Sequence, residues 1–247
     1  MVEQVYIVDT ANRIQMSEEF DAIVFDVGGT LLDMKPTRAE VFTEVLLENG
    51  FEVDPDRLEK AIRRADRILD EEFADLDGGD DSGFWKKFDN LVLEEIGFVG
   101  DQSRIYHALT EKFEGFMPMV ETWVDYPETK GVLEELRKRG FTLGVISNAT
   151  ELVNRVLDNL DLTKNFDFVI VSDEVGVNKP SAKIFRMAAD KAGTSPNRVL
   201  YIGDKLSTDV KGAVDAGMNA ILVDRADTYP DAECIRIRDL DFLRLFL

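Results

Sequence analysis

Five short apolar runs, each followed by polar or acidic residues, constrain the fold of this chain more than any other sequence feature. The runs cover residues 20–25, 142–146, 168–171, 198–202 and 220–223. Segments with apolar residues at three- and four-residue spacing fill the intervals between the last four runs, which is the pattern of amphipathic helices. Apolar strands alternating with helices predict an α/β fold, in which a parallel sheet is covered by helices on both faces.

The interval between the first and second apolar runs has a different sequence pattern. It is more than a hundred residues long, and it shows helical patterns over residues 36–49, 55–73, 83–96 and 103–115 with no predicted strand. The sequence therefore predicts a helical domain, residues 34–120, inserted into a core formed by residues 1–33 and 121–247. An acidic loop at residues 75–82 is expected to be solvated, and residues 5–8 could add an edge strand.

Charge limits the partners that such a chain can bind. Its 247 residues include 29 Lys and Arg against 49 Asp and Glu, a net charge of −20. A nucleic-acid backbone or an anionic lipid surface would be repelled, so neither is expected as a partner. The sequence has no apolar run long enough to span a membrane, and charged residues interrupt its first fifteen positions, so we expect a cytoplasmic protein. Its oligomeric state is left open.

Polar residues at the ends of the apolar runs are the candidates for chemistry. In an open parallel sheet, ligands bind outside the carboxyl ends of the strands. This rule predicts that Asp26, Ser147, Lys179, Asp204 and Asp209 lie along one edge. Carboxylates gathered there repel one another unless a cation lies among them, and hard oxygen ligands suit Mg²⁺. With Asn148, the hydroxyl and the ammonium could hold the oxygens of a phosphoryl group. Since the chain has one cysteine, Cys234, and one histidine, His107, catalysis by a Cys/His pair is not expected.

Four ordered motifs carry a resemblance to a known family. They are Asp26-Val-Gly-Gly-Thr-Leu31, Val145-Ile-Ser-Asn148, Asn178-Lys-Pro180 and Ile202-Gly-Asp-Lys-Leu-Ser-Thr-Asp209. In this order and spacing the chain resembles the haloacid dehalogenase superfamily of hydrolases over residues 20–224. The resemblance implies a doubly wound, Rossmann-like core. It also implies a helical cap of the kind found in phosphoglycolate phosphatases and 2-haloacid dehalogenases, for residues 34–120.

The resemblance also implies a role for each motif residue. Asp26 would be the nucleophile that forms an aspartyl-phosphate with a small-molecule phosphate ester. Ser147 and Asn148 would bind the phosphoryl group, and Lys179 would orient Asp26 and neutralise charge. Mg²⁺ would be held by Asp26, Asp204, Asp209 and the carbonyl of Gly28. Thr30 is expected to fix the loop, and Lys205 could lie at the surface or point inward and weaken metal binding.

Position 28 departs from the phosphatase pattern. Phosphatases of this superfamily usually carry a second aspartate there, which serves as general acid and base, and this chain has Gly28. Such a loss typically costs about 10²- to 10⁴-fold in rate. A 2-haloacid dehalogenase is the first alternative. Two residues argue against that activity: Asp204 is typical of the magnesium-binding phosphatases, and Phe185 stands where the dehalogenases carry tyrosine. The second alternative is a non-catalytic protein that binds a phosphorylated ligand or a partner.

Overall fold

The computed structural model describes residues 20–73 and 83–245. They fall into two compact units, one formed by residues 20–33 and 125–245 and the other by residues 34–73 and 83–124. We call these the core unit and the helical unit. The sequence placed the second boundary at residue 120, four residues before the position that the structure gives. The possible edge strand at residues 5–8 and the acidic loop at residues 75–82 lie outside the described residues.

The described part of the core unit contains a six-stranded parallel sheet with the order β5-β4-β1-β6-β7-β8. Its strands are β1 (Ala22–Phe25), β4 (Thr142–Ser147), β5 (Phe168–Val171), β6 (Val199–Gly203), β7 (Asn219–Val223) and β8 (Arg236–Ile237). Two further strands, β2 (Leu32–Met34) and β3 (Trp123–Asp125), pair with each other. The predicted α/β fold class is confirmed. The two-residue strand β8 and the three-residue strands β2 and β3 were not predicted, because runs this short carry no readable periodicity.

Helices fill the intervals between the strands of the core unit, as the sequence predicts. Its α-helices are α5 (Thr129–Lys138), α6 (Leu152–Asn159), α7 (Ser172–Val175), α8 (Ala182–Ala192) and α9 (Gly212–Asp215). A π-helical segment, Leu206–Lys211, leads directly into α9. It carries Asp209, and the sequence predicted ordinary α-helix over this stretch. The extra residue in a π turn changes which side chains face the sheet, and such segments occur often at functional sites.

The described part of the helical unit contains the α-helices α1 (Arg38–Glu48), α2 (Pro55–Phe73), α3 (Phe84–Glu95) and α4 (Gln102–Phe116). Thr37 and Glu40 form a capping box that fixes the start of α1. Buried side chains from all four helices, among them Phe42, Leu69, Phe88 and Leu109, form a separate hydrophobic core. This unit therefore has the packed interior expected of an independent domain. Within the described residues, no helix is long and apolar enough to cross a membrane.

Candidate active site

The order of the strands brings the ends of three motifs together. Strand β1 is central and pairs with β4 on one side and with β6 on the other, and Phe25 lies opposite Val145 and Ile202. Asp26 directly follows β1, Ser147 ends β4 and Asp204 directly follows β6. Because the strands are parallel, these three residues emerge at the same edge of the sheet. Five apolar runs in the sequence were enough to predict this arrangement.

Lys179 lies between two of the carboxylates. Its ammonium donates to Oδ1 of Asp26 at 2.6 Å and to Oδ1 of Asp209 at 2.7 Å. The side chains of Lys179, Asp26 and Asp209 are 4%, 10% and 1% exposed, so little water screens these contacts. Burial disfavours the ammonium, but Asp209 and Asp26 outweigh that effect and raise the pKa of Lys179 well above its usual value. Lys179 is therefore a fixed positive charge beside Asp26.

Asp209 is held by three hydrogen bonds. Its Oδ1 accepts from Lys179 and from the hydroxyl of Tyr201 at 3.0 Å, and its Oδ2 accepts from the backbone N–H of Lys205 at 3.0 Å. A Cβ on Gly203 would meet the Asp209 carboxyl at about 2.5 Å, so glycine at position 203 makes this close approach possible. The bond from Lys205 satisfies a backbone amide at the start of the π-helical segment, and the bonds from Lys179 and Tyr201 tie Asp209 to the cluster.

Asp204 completes an acidic cluster. Carboxylate oxygens of Asp26, Asp204 and Asp209 all lie within 4.8 Å of one another. Gly29 approaches Asp204 closely, since a Cβ there would lie 2.4 Å from Oδ2 of Asp204, and its φ of +79° also favours glycine. The loop after β1 and the loop after β6 are thus packed directly against each other at this cluster.

The residues of this cluster fit a divalent cation. Burial raises the pKa of Asp204 well above its usual value, with Asp26 and Asp209 adding to the effect and Lys205 opposing it. Burial also raises the pKa of Asp26, where the ammonium of Lys179 opposes the shift and Asp209 adds to it. Three carboxylates facing one buried ammonium leave an excess of negative charge. A cation bound by hard oxygen ligands would remove that excess, and Mg²⁺ is such a cation.

Asn148 and Thr30 differ in how their side chains are hydrogen-bonded. The side-chain amide of Asn148 donates to the carbonyl of Lys179 at 2.9 Å and its oxygen accepts from the N–H of Lys179 at 2.8 Å. Because both ends of this amide bind the backbone of Lys179, Asn148 holds the loop that carries the lysine. The hydroxyl of Thr30 is buried and has no hydrogen-bond partner among the described residues, whereas the carbonyl of Thr30 accepts from Arg225.

Ser147 and Lys205 complete the set of motif residues. Ser147 is buried at the end of β4, next to the strand that leads to Asp26. Lys205 is partly exposed, and its ammonium lies 3.8 Å from Oδ2 of Asp204. This corresponds to the inward alternative, in which a positive charge beside Asp204 weakens the attraction for a cation.

Two residues outside the four motifs also shape the site. Tyr201, buried in β6, hydrogen bonds to both Lys179 and Asp209. Arg225 donates to the carbonyls of Gly29 and Thr30, forms an ion pair of 2.7 Å with Glu128, and lies 3.5 Å from the ring centre of Tyr126. Arg225 follows Asp224 at the end of the fifth apolar run, so the rule that identified the other site residues could have found it. Tyr201 lies in the middle of β6 and faces the interior, so the rule about strand ends does not identify it.

Removing the Lys179 ammonium is expected to destabilise the fold. A Lys179→Met variant would leave Asp26 and Asp209 buried without their shared cation, which typically costs about 3–5 kcal/mol. Denaturant unfolding in the absence of divalent metals measures this loss. Lys183→Met, at an exposed position of α8, is the matched control and should stay within about 0.5 kcal/mol of the parent. Equal free energies of unfolding for the two variants would show that the Lys179 contacts do not contribute to the stability of the fold.

The architecture and the acidic cluster together define a structural class. The parallel sheet places the chain among the doubly wound α/β proteins, whose ligand sites lie at the carboxyl ends of the strands. A model of the haloacid dehalogenase-like hydrolase family matches residues 20–217. The chain belongs to this family, and the resemblance drawn from the four motifs is confirmed.

Individual relatives cover most of the chain. It is 38% identical over 230 residues to a glyceraldehyde 3-phosphate phosphatase of Methanothermobacter thermautotrophicus, covering 89% of this chain and 92% of that protein. A solved structure of a HAD phosphatase from Thermococcus onnurineus has a TM-score of 0.58 at 25% identity, covering 91% and 96% of the two chains. A 2-haloacid dehalogenase from Pseudomonas syringae has a TM-score of 0.53 at 28% identity, covering 92% and 97%. Both activities that the sequence left open therefore occur among proteins similar to this one.

Proposed function

We propose that this hydrolase is a magnesium-dependent phosphatase that acts on a small phosphate ester through an aspartyl-phosphate at Asp26. The observation that carries the proposal is the buried ammonium of Lys179, shared by Asp26 and Asp209 beside the third carboxylate, Asp204. The similarity to a glyceraldehyde 3-phosphate phosphatase supports phosphate as the group transferred. For the helical unit we propose the role of a cap that selects the substrate.

The first step forms a bond between a carboxylate oxygen of Asp26 and phosphorus and breaks the bond from phosphorus to the leaving oxygen. Lys179 neutralises negative charge that develops on the phosphoryl oxygens, and the hydroxyl of Ser147 binds one of them. In the second step a water molecule attacks phosphorus, the bond to Asp26 breaks, and inorganic phosphate leaves. Asp26, Asp204, Asp209 and the carbonyl of Gly28 would hold Mg²⁺, which supplies positive charge to the transferring group.

Gly28 determines which leaving groups are favoured. Without a carboxyl at this position, the leaving oxygen must depart as an anion or take its proton from solvent. An aryl oxygen tolerates this because it is a weak base, whereas an alkyl oxygen does not. Since a general acid typically contributes about 10²- to 10⁴-fold, an enzyme without one is expected to discriminate strongly between the two leaving groups.

A panel of phosphate esters tests the proposal. Purified protein is expected to hydrolyse aryl phosphates at least about 100-fold faster than alkyl phosphates, and chelation of Mg²⁺ should abolish both activities. Initial rates of phosphate release with and without EDTA measure this. Equal kcat/KM values for both kinds of ester would contradict the absence of a general acid, and unchanged rates in EDTA would contradict the metal site.

The dehalogenase alternative is supported by Gly28 and by the similarity to the Pseudomonas syringae enzyme. Asp204 argues against it, because a third carboxylate within 4.8 Å of Asp26 would repel the carboxylate of a haloacid. Release of chloride from 2-chloropropionate in the presence of EDTA, without phosphate ester hydrolysis, would establish dehalogenation instead. Saturable binding of a phosphate ester with no turnover and no phosphorylated protein would establish the non-catalytic alternative.

A further inference from the structure

Arg225 anchors the loop that follows Asp26 through the backbone of that loop. Its Nε donates to the carbonyl of Gly29 at 3.2 Å, and its Nη2 donates to the carbonyl of Thr30 at 2.8 Å. The flat fork of a guanidinium can hold two carbonyls with separate nitrogens, whereas a lysine has only one nitrogen. All four residues belong to the core unit. One side chain therefore holds two consecutive peptide groups of the loop.

The guanidinium of Arg225 is itself held on its other sides. Its Nη1 forms an ion pair of 2.7 Å with Glu128, whose Oε1 also accepts from the backbone N–H of Leu240 at 3.4 Å. The guanidinium carbon lies 3.5 Å from the ring centre of Tyr126. The side chains of Arg225 and Glu128 are 19% and 11% exposed, so water screens the ion pair only in part. Each nitrogen of the guanidinium therefore has a partner within the protein.

The loop that Arg225 holds packs against the acidic cluster. Gly29 lies so close to Asp204 that an added Cβ would be 2.4 Å from Oδ2 of Asp204. The loop also starts at Asp26 and contains Gly28, whose carbonyl is an expected metal ligand. Mg²⁺ demands near-ideal octahedral geometry, so a displaced ligand lowers its affinity. A movement of this loop would therefore change the spacing of several ligands at once.

Arg225 acts on the cluster only through this loop. Within the described part of the chain, no hydrogen bond or ion pair joins Arg225 to a carboxylate of the acidic cluster. The far end of the loop has its own anchors, because the carbonyl of Leu31 accepts from the hydroxyl of Thr129 at 2.8 Å and from the N–H of Tyr126 at 3.2 Å. Replacing Arg225 is therefore expected to release the middle of the loop while its end stays in place.

We propose that Arg225 is a positioning residue for the metal site. It holds the loop after Asp26 against Asp204, so that the ligands keep the spacing that a divalent cation requires. The proposal rests on the proposed function for the identity of those ligands. Residues that orient metal ligands typically contribute about 10- to 100-fold to metal affinity or activity. Loss of the Arg225 fork should therefore weaken metal binding even when no substrate is present.

Metal binding by the full chain tests the proposal without any turnover. Mn²⁺ is the probe, since it takes the same hard oxygen ligands as Mg²⁺ and electron paramagnetic resonance measures its free concentration. Arg225→Lys keeps a positive charge beside Glu128 but loses the fork, and we expect it to raise the Mn²⁺ dissociation constant at least about tenfold. Arg225→Met also removes the charge and should weaken binding at least as much.

Arg198→Lys is the matched control, the same change in another forked arginine of the core unit. Nε and Nη2 of Arg198 both donate to the carboxylate of Asp21. These two residues directly precede β6 and β1, at the opposite edge of the sheet from the acidic cluster. The Mn²⁺ dissociation constant of this control should stay within about twofold of the parent value. Thermal unfolding without metal verifies the fold of each variant, and Arg225→Lys decides the question if Arg225→Met does not fold.

The results separate the role of Arg225 from the proposed function. An unchanged Mn²⁺ dissociation constant in Arg225→Lys, or equal weakening in Arg198→Lys, would overturn the proposal. If the parent chain binds Mn²⁺ at least tenfold more tightly than Arg225→Lys but hydrolyses no phosphate ester, the phosphatase is refuted and the role of Arg225 stands. No saturable Mn²⁺ binding by the parent chain would overturn both.

Discussion

An Asp26→Asn variant is expected to lose phosphate ester hydrolysis by about 10⁴-fold or more, because the amide oxygen is a far weaker nucleophile than the carboxylate. The substitution keeps the shape of the side chain and keeps an oxygen that can accept from Lys179, whose other partner, Asp209, is untouched. The fold should therefore survive, with less destabilisation than Lys179→Met causes. Initial rates on an aryl phosphate at saturating Mg²⁺ measure the loss.

The control for this variant is Asp190→Asn, the same chemical change at an exposed position of α8. It is expected to retain the full activity of the parent chain. A folded Asp26→Asn protein that kept more than about a tenth of the parent rate would exclude Asp26 as the nucleophile. Circular dichroism of both variants separates a loss of chemistry from a loss of structure.

Restoring a carboxyl at position 28 is expected to produce the second large effect, and in the opposite direction. Gly28→Asp should accelerate hydrolysis of alkyl phosphates by about 10²- to 10⁴-fold, because the new carboxylic acid can protonate the leaving oxygen. Gly28 is exposed, and in the Gly28-Gly29 pair the positive φ of 79° belongs to Gly29. Measured as kcat/KM, which reports the step that expels the leaving group, the gain should be much smaller for aryl phosphates, whose leaving groups need no proton.

Gly28→Asn isolates the proton transfer, since asparagine matches aspartate in size but cannot act as an acid. It should show no gain with either class of ester. The informative quantity is the difference in alkyl phosphatase rate between the two variants. Equal alkyl phosphatase rates for Gly28→Asp and Gly28→Asn would mean that the absence of an acid at position 28 does not limit the rate.

The acidic edge of the sheet was predictable because it depends on strand ends rather than on side-chain packing. Apolar runs identify the strands, and parallel pairing brings their carboxyl ends to one edge, so Asp26, Ser147 and Asp204 follow from the sequence pattern. Lys179 lies beyond β5 and α7, in a loop whose path no periodicity specifies. The strand-end rule placed it at this edge of the sheet and the resemblance gave it a role, but only the structure shows Asn148 holding it there.

Other features depend on tertiary contacts that a single sequence does not reveal. The hydroxyl of Tyr201 reaches Lys179 and Asp209 from mid-strand, where its aromatic ring alone predicts a core residue. Trp85 and Phe88 both stack on Arg38, and this contact joins residues of two different helices.

Rapid acid quenching tests the central claim most directly. Protein mixed with a phosphorus-labelled aryl phosphate and Mg²⁺, then quenched in acid within the first turnover, is expected to carry label on the peptide that contains Asp26. The label should approach one equivalent if hydrolysis of the intermediate limits the rate, and hydroxylamine should release it, as expected for an acyl phosphate. It should be absent from the Asp26→Asn variant. Turnover of the ester with no protein-bound label at any quench time, or label on a different residue, would contradict the assignment of Asp26 as the nucleophile.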